Sequence, residues 1–174
     1  MPSKKLSYDP DPSQPRLKLP AGACDAHVHV FGPQARFPFA ADRSFTPCDA
    51  PKEKLFALHA LLGIERCVVV QSNAHGFDNS VTEDALAARN GAYVGIALVP
   101  VTIGKPELRR LDAAGFRGAR FHFMRHLGAS TPIDDIIAFG GRLAGIGWHR
   151  PTMACSSICS HPSRRPRNSA RRCS

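Results

Sequence analysis

The sequence contains no apolar run near the roughly 18 residues that a helix needs to cross a bilayer, so a helical membrane span is excluded. Lys4 and Lys5 are followed by no apolar stretch, and a secretory leader is therefore not expected. No Cys-x-x-Cys pair occurs. Cys24, Cys48 and Cys67 are scattered through the body, which argues against a disulfide framework or zinc knuckle and fits a reducing, cytoplasmic setting. The last 25 residues have no acid at all but six arginines, and they supply most of the net charge of +9. Residues 1–149 are close to balanced, with 17 Lys and Arg against 14 Asp and Glu. Basicity thus belongs to the tail. Because no aromatic residue interleaves the tail arginines, a nucleic-acid or anionic-surface partner is the weaker reading.

What is present is an alternation of short apolar runs with longer helical patterns. A chain of 174 residues suits one domain. Five prolines in the first 20 residues make 1–19 an extended arm. "ACDAHVHVF", "RCVVVQ", "AYVGIALVP" and "RGARFHF" read as four strands. Between and after them, "KEKLFALHALLG", "NSVTEDALAARNG", "KPELRRLDAAG" and "PIDDIIAFGGRLAG" read as helices. Glycine stops end them, and Gly140 and Gly141 weaken the last. Strands alternating with helices imply parallel pairing, in either an open doubly wound sheet or a barrel. No glycine-rich phosphate loop follows the first strand, which favours the barrel. The expectation is an α/β fold: residues 20–149 as about four βα units, the first half of a TIM (β/α)8-type barrel. At His149, where a fifth strand is due, the pattern stops. Residues 150–174 are expected to be a disordered basic tail or, in preference, the product of a frameshift or truncation.

The chemistry-bearing residues concentrate in the first strand. Strict alternation places Asp25, His27 and His29 on one face and Ala26, Val28 and Val30 on the other. Two imidazoles at i and i+2 can both reach one divalent ion or share acid–base work, or they can be an inert polar face.

"CDAHVHVFGP", with "RFPFAADRSFTPCDAP" and "RGARFHF", resembles the amidohydrolase superfamily of TIM-barrel hydrolases. Within it, the match is to the branch of 2-pyrone-4,6-dicarboxylate hydrolase and related sugar- and muconolactone hydrolases. The resemblance covers about residues 20–149. It implies that His27 and His29 are the catalytic pair of the first strand. In most of the superfamily that pair binds a divalent, zinc-type metal; in this branch it polarises a lactone carbonyl without one, so the cofactor is none or one divalent metal. It also implies a substrate-contacting hydroxyl at Ser72, whose bland reading is a turn serine. Arg120 matches a substrate-carboxylate arginine, suited to a bidentate grip.

Departures from the pattern affect the substrate. His126 stands where a second carboxylate-binding arginine is expected, with Arg125 one position early, and Phe45 replaces a frequent tyrosine. A lactone or carboxylated cyclic ester less acidic than the dicarboxylate fits better. His75 reads as a solvated loop histidine, His122 as packed and His59 as structural. Asp134 and Asp135 read as first-turn helix acids. The resemblance implies a general-base aspartate at the end of the eighth strand, which residues 20–149 do not reach. The implied activity is lactone opening by activated water, with a homo-oligomer that completes eight strands as a further possibility.

Overall fold

The computed structural model describes residues 6–121 and 131–148. Four parallel strands form one sheet in the order β1-β2-β3-β4, namely Cys24–Val28, Arg66–Val70, Tyr93–Leu98 and Phe116–Arg120. Helices α1 (Lys52–Leu62), α2 (Ser80–Ala87), α3 (Lys105–Ala113) and α4 (Ile133–Ala144) follow the strands in turn. Sequential parallel order decides between the two architectures. With every crossover right-handed, neighbours in sequence remain neighbours in the sheet, and all helices fall on one face. A doubly wound sheet would reverse its order at a switch point. The expected barrel-type arrangement of four βα units is what the chain adopts.

The core lies between the sheet and the helices. Cys67 and Val69 of β2, Tyr93 and Ala97 of β3 and Phe116 and Ala119 of β4 point into it. Leu55, Ala85, Leu86, Leu108, Leu111, Phe139 and Leu143 meet them from the helices. Each such large apolar side chain contributes roughly 1.5–3 kcal/mol on burial. Helix α1 ends as its sequence indicates: Gly63 takes the left-handed conformation (φ 72°) and its N–H caps the His59 carbonyl. Helix α4 continues through Gly140 and Gly141, because Ile136, Phe139 and Leu143 bury a continuous stripe that outweighs the glycine penalty of about 1 kcal/mol each. Residues 6–23 contain neither helix nor strand. Among the described residues no helix is long and apolar enough to cross a membrane.

Candidate active site

The first strand does not alternate strictly. Asp25 pairs with Cys67 and Val28 with Val69, so three steps on β1 oppose two on β2. This bulge accommodates one extra residue. Partners across a sheet share a face, and Cys67 and Val69 face the helices; Asp25 and Val28 therefore face them too. His27 and His29 are left on the opposite face. The expectation that Asp25 joins them is corrected here: its Oδ2 accepts a hydrogen bond from Nε2 of His59 on α1 at 3.2 Å.

The two histidines lie edge to face, ring centroids 5.1 Å apart at 84°. Nδ1 of His29 donates to the Val70 carbonyl at 2.7 Å, because a carbonyl can only accept. In the neutral ring Nε2 is then unprotonated. Burial lowers the pKa of His29, and the Arg120 guanidinium adds to that effect against the opposing Val70 bond. His27 shifts down for the same first two reasons, burial and then Arg120, with Asp25 opposing. Arg120, at the end of β4, donates from Nη1 to the Gln71 carbonyl at 3.0 Å. Burial pulls its pKa below the usual arginine value. Beside His27 and His29 opens a cavity of about 380 Å³, lined also by Phe31, Lys54 and residues Tyr8 and Asp9 of the N-terminal arm. The arm's part in it was not legible in a proline-rich segment without periodicity. Phe31 lies 6.0 Å from the His29 ring and packs edge to face on Phe45 at 6.4 Å.

Ser72 caps a single 3-10 turn, Asn73–His75, its Oγ accepting from the Ala74 N–H at 3.2 Å. His75 is not solvated, as the sequence suggested, but 3% exposed. Its ring packs against Phe39 (4.8 Å) and stacks on Phe31 (6.4 Å), and Nδ1 donates to the Pro38 carbonyl. His59 is buried within α1, and Asp134 and Asp135 occupy the first turn of α4. His126, like His122, Arg125 and His149, lies outside the described residues. Sequence reading missed the polar scaffold behind the strand ends. Gln71, fully buried, accepts from Thr82 Oγ1 at 2.6 Å and donates to the Asp78 carbonyl at 2.7 Å. Asn79 brackets Leu98, accepting from its N–H and donating to its carbonyl, both at 3.0 Å. The signal was the density of amide and hydroxyl groups in "QSNAHGFDN" directly after an apolar strand.

A family model described as amidohydrolase matches residues 24–153. The chain belongs to the amidohydrolase family. It is 49% identical over 144 residues to 2-pyrone-4,6-dicarboxylate hydrolase of Comamonas testosteroni, covering 83% of this chain and 47% of that protein. A 4-sulfomuconolactone hydrolase of Rhizobium radiobacter is 49% identical over 105 residues, or 60% of this chain and 35% of its own length. Among solved structures, an apo protein of Agrobacterium tumefaciens superposes with a TM-score of 0.66 at 27% identity, over 77% of this chain and 48% of its own. An Acinetobacter baumannii structure with citric acid bound gives the same score at 22% identity, a likeness of fold. The chain thus spans about half the length of the relatives it matches, and its four βα units correspond to about half of a TIM-barrel amidohydrolase.

The resemblance to metal-binding barrels makes His27 and His29 the residues that would hold a divalent ion. His29 can offer the Nε2 lone pair, and the depressed pKa of both rings keeps them neutral, as ligation requires. Against this, the Arg120 cation acts on both rings. The cluster of three potential ligands found among the described residues is Asp25, His59 and Cys67, on the other face. Two imidazoles beside a fixed cation suit an anionic ligand better than a divalent ion.

Proposed function

We propose that this chain forms the first half of the barrel of a hydrolase that opens a lactone or carboxylated cyclic ester by adding water. The observation that carries the reading is the convergence of two neutral imidazoles and one guanidinium on one face, His29 and Arg120 being tied to successive carbonyls of one strand end. The kinship with lactone hydrolases supports the reaction class.

In the proposed reaction water adds to the ring carbonyl, whose oxygen gains negative charge; the carbonyl re-forms as the ring C–O bond breaks, and the proton taken from the water passes to the released ring oxygen. Arg120 holds a substrate carboxylate through its guanidinium fork. His27, exposed and neutral, donates a ring N–H to the developing oxyanion. Nε2 of His29, unprotonated because Nδ1 is committed to Val70, accepts a hydrogen bond that orients the attacking water. Ser72 can still donate its hydroxyl hydrogen to substrate while its Oγ accepts from Ala74, and His126 is a second substrate contact. The principal general base belongs to the remaining half of the barrel.

A chimera tests this reading. Residues 24–149 replace the matching half of the Comamonas relative, and hydrolysis of 2-pyrone-4,6-dicarboxylate and of a less acidic lactone is followed. The expected outcome is lactone opening that falls at least about a hundredfold in His27→Ala, His29→Ala and Arg120→Ala. A folded chimera that opens neither lactone, or one whose turnover is indifferent to all three substitutions, overturns it.

A further inference from the structure

Behind the sheet, on the face away from the site, lies a hydrogen-bonded chain that the proposed reaction does not use. His59 is 1% exposed on α1 and Tyr93 is 1% exposed at the start of β3. The Asp25 carboxylate can only accept, so His59 Nε2–H donates to Oδ2 at 3.2 Å. The neutral ring then presents Nδ1 as an acceptor, and the Tyr93 hydroxyl donates to it at 2.6 Å. The other oxygen of Asp25, Oδ1, accepts from the backbone N–H of His27 at 3.2 Å. A directional path therefore runs from the Tyr93 hydroxyl through His59 and Asp25 to the main chain of His27.

That last contact falls at the bulge. Asp25 is the last regularly paired residue before the register shifts, and Val28 the first after it. An unbulged β1 would carry every later residue to the other face, because the side-chain period of a strand is two. We infer that Tyr93, His59 and Asp25 are positioning residues which, by pinning the β1 bulge through the His27 amide, turn His27 and His29 to the face occupied by Arg120. The functional consequence rests on the proposed role of His27 and His29; the geometric claim does not.

The obvious rival is a metal centre, since ligand atoms of Asp25, His59 and Cys67 lie within 4.8 Å of one another. The hydrogen bonds argue against it. Both ring nitrogens of His59 already have partners, so an ion bound there would have to displace Asp25 or Tyr93 from the ring. Arg89, whose guanidinium packs 4.7 Å from the Tyr93 ring centroid, adds a fixed positive charge nearby.

NMR of the full chain labelled with 15N tests the inference without reference to activity. In the wild type the His27 amide should be protected from exchange, and the His27 and His29 rings should show a mutual NOE. His59→Leu and Asp25→Ala should speed His27 amide exchange about tenfold and abolish the ring NOE. His59→Gln, which keeps a donor for Asp25, should retain both. Tyr93→Phe removes one hydroxyl and leaves the packing, so it covers the case in which a larger change unfolds the chain; it should move the same His27 signals by a smaller amount. A drop in stability with unchanged His27 exchange and ring NOE in the folded variants means a merely structural role and overturns the inference. So does a shift of the His59 signals by one equivalent of zinc chloride.

Discussion

His29 directly follows β1 and Arg120 ends β4, the two edge strands of the sheet, yet they anchor on consecutive carbonyls where β2 ends, Val70 at 2.7 Å and Gln71 at 3.0 Å. A strand between them in space thus sets the separation of an imidazole and a guanidinium that are 91 residues apart in sequence. The arrangement has a measurable electrostatic consequence. Arg120 is among the causes that depress both His27 and His29. Removing a nearby cation favours the charged imidazolium, so Arg120→Gln should raise the ring pKa of both, read by NMR titration. If neither moves, the guanidinium is not where the reading needs it.

Stability should depend on pH in a defined direction. His27, His29 and His75 all have folded pKa values below the ordinary 6.5, in each case first through burial. A lowered pKa means that the unfolded chain binds more protons below that point. Their contribution is therefore fully present above pH 6.5 and is lost as pH falls through the folded values. Urea midpoints should be flat from about pH 7 to 8 and decline below about 6.5. His75→Phe should flatten part of the decline, since Pro38 is exposed and water can replace the lost ring donor. A decline of equal slope in that variant would show that His75 takes no part in it.

The alternation of β and α was legible because hydrophobic period and glycine stops are local signals, and the strands and helices fall where those signals lie. The failures were all of another kind. Strict alternation put Asp25 with His27 and His29; the bulge that separates them depends on His59 and Tyr93, more than thirty residues away. His75 looked like a solvated loop residue because nothing nearby in sequence announces Phe31 and Phe39 as its neighbours. Gln71, Thr82 and Asn79 show the same limit. Thr82 reaches Gln71 only once the loop between β2 and α2 has folded, and Asn79 reaches Leu98 only once β3 lies beside it.

Packing under α2 leaves no room at Gly95. A Cβ there would lie 2.6 Å from Phe116 Cδ1 and 2.8 Å from Leu86 Cδ1, both in the buried core. Both neighbours are held within the sheet–helix interface, so the added methyl forces them apart. Gly95→Ala should cost about 1–3 kcal/mol, although alanine is ordinarily the better residue outside tight sites. A urea midpoint equal to or above wild type would mean that β3 and β4 are packed less closely than described.

Asn79 gives a test in which chemistry and volume make different forecasts. Its side chain is 6% exposed, with Oδ1 accepting from Leu98 N–H and Nδ2 donating to the carbonyls of Leu98 and Phe77. Asn79→Ala should cost about 2–4 kcal/mol, the sum of two buried backbone groups losing their partners. Asn79→Asp is nearly isosteric, so if filling space were the role it would be harmless. The carboxylate keeps the acceptor for Leu98 N–H but aims a second oxygen at two carbonyls, and it adds a charge in a buried setting. It should therefore be no better than alanine at pH 7. Lowering the pH protonates the carboxyl and restores a donor, so the deficit of Asn79→Asp relative to wild type should shrink in acid while that of Asn79→Ala should not. Parallel deficits across pH for the two variants would remove the bracket on Leu98 as the explanation of why Asn79 is buried.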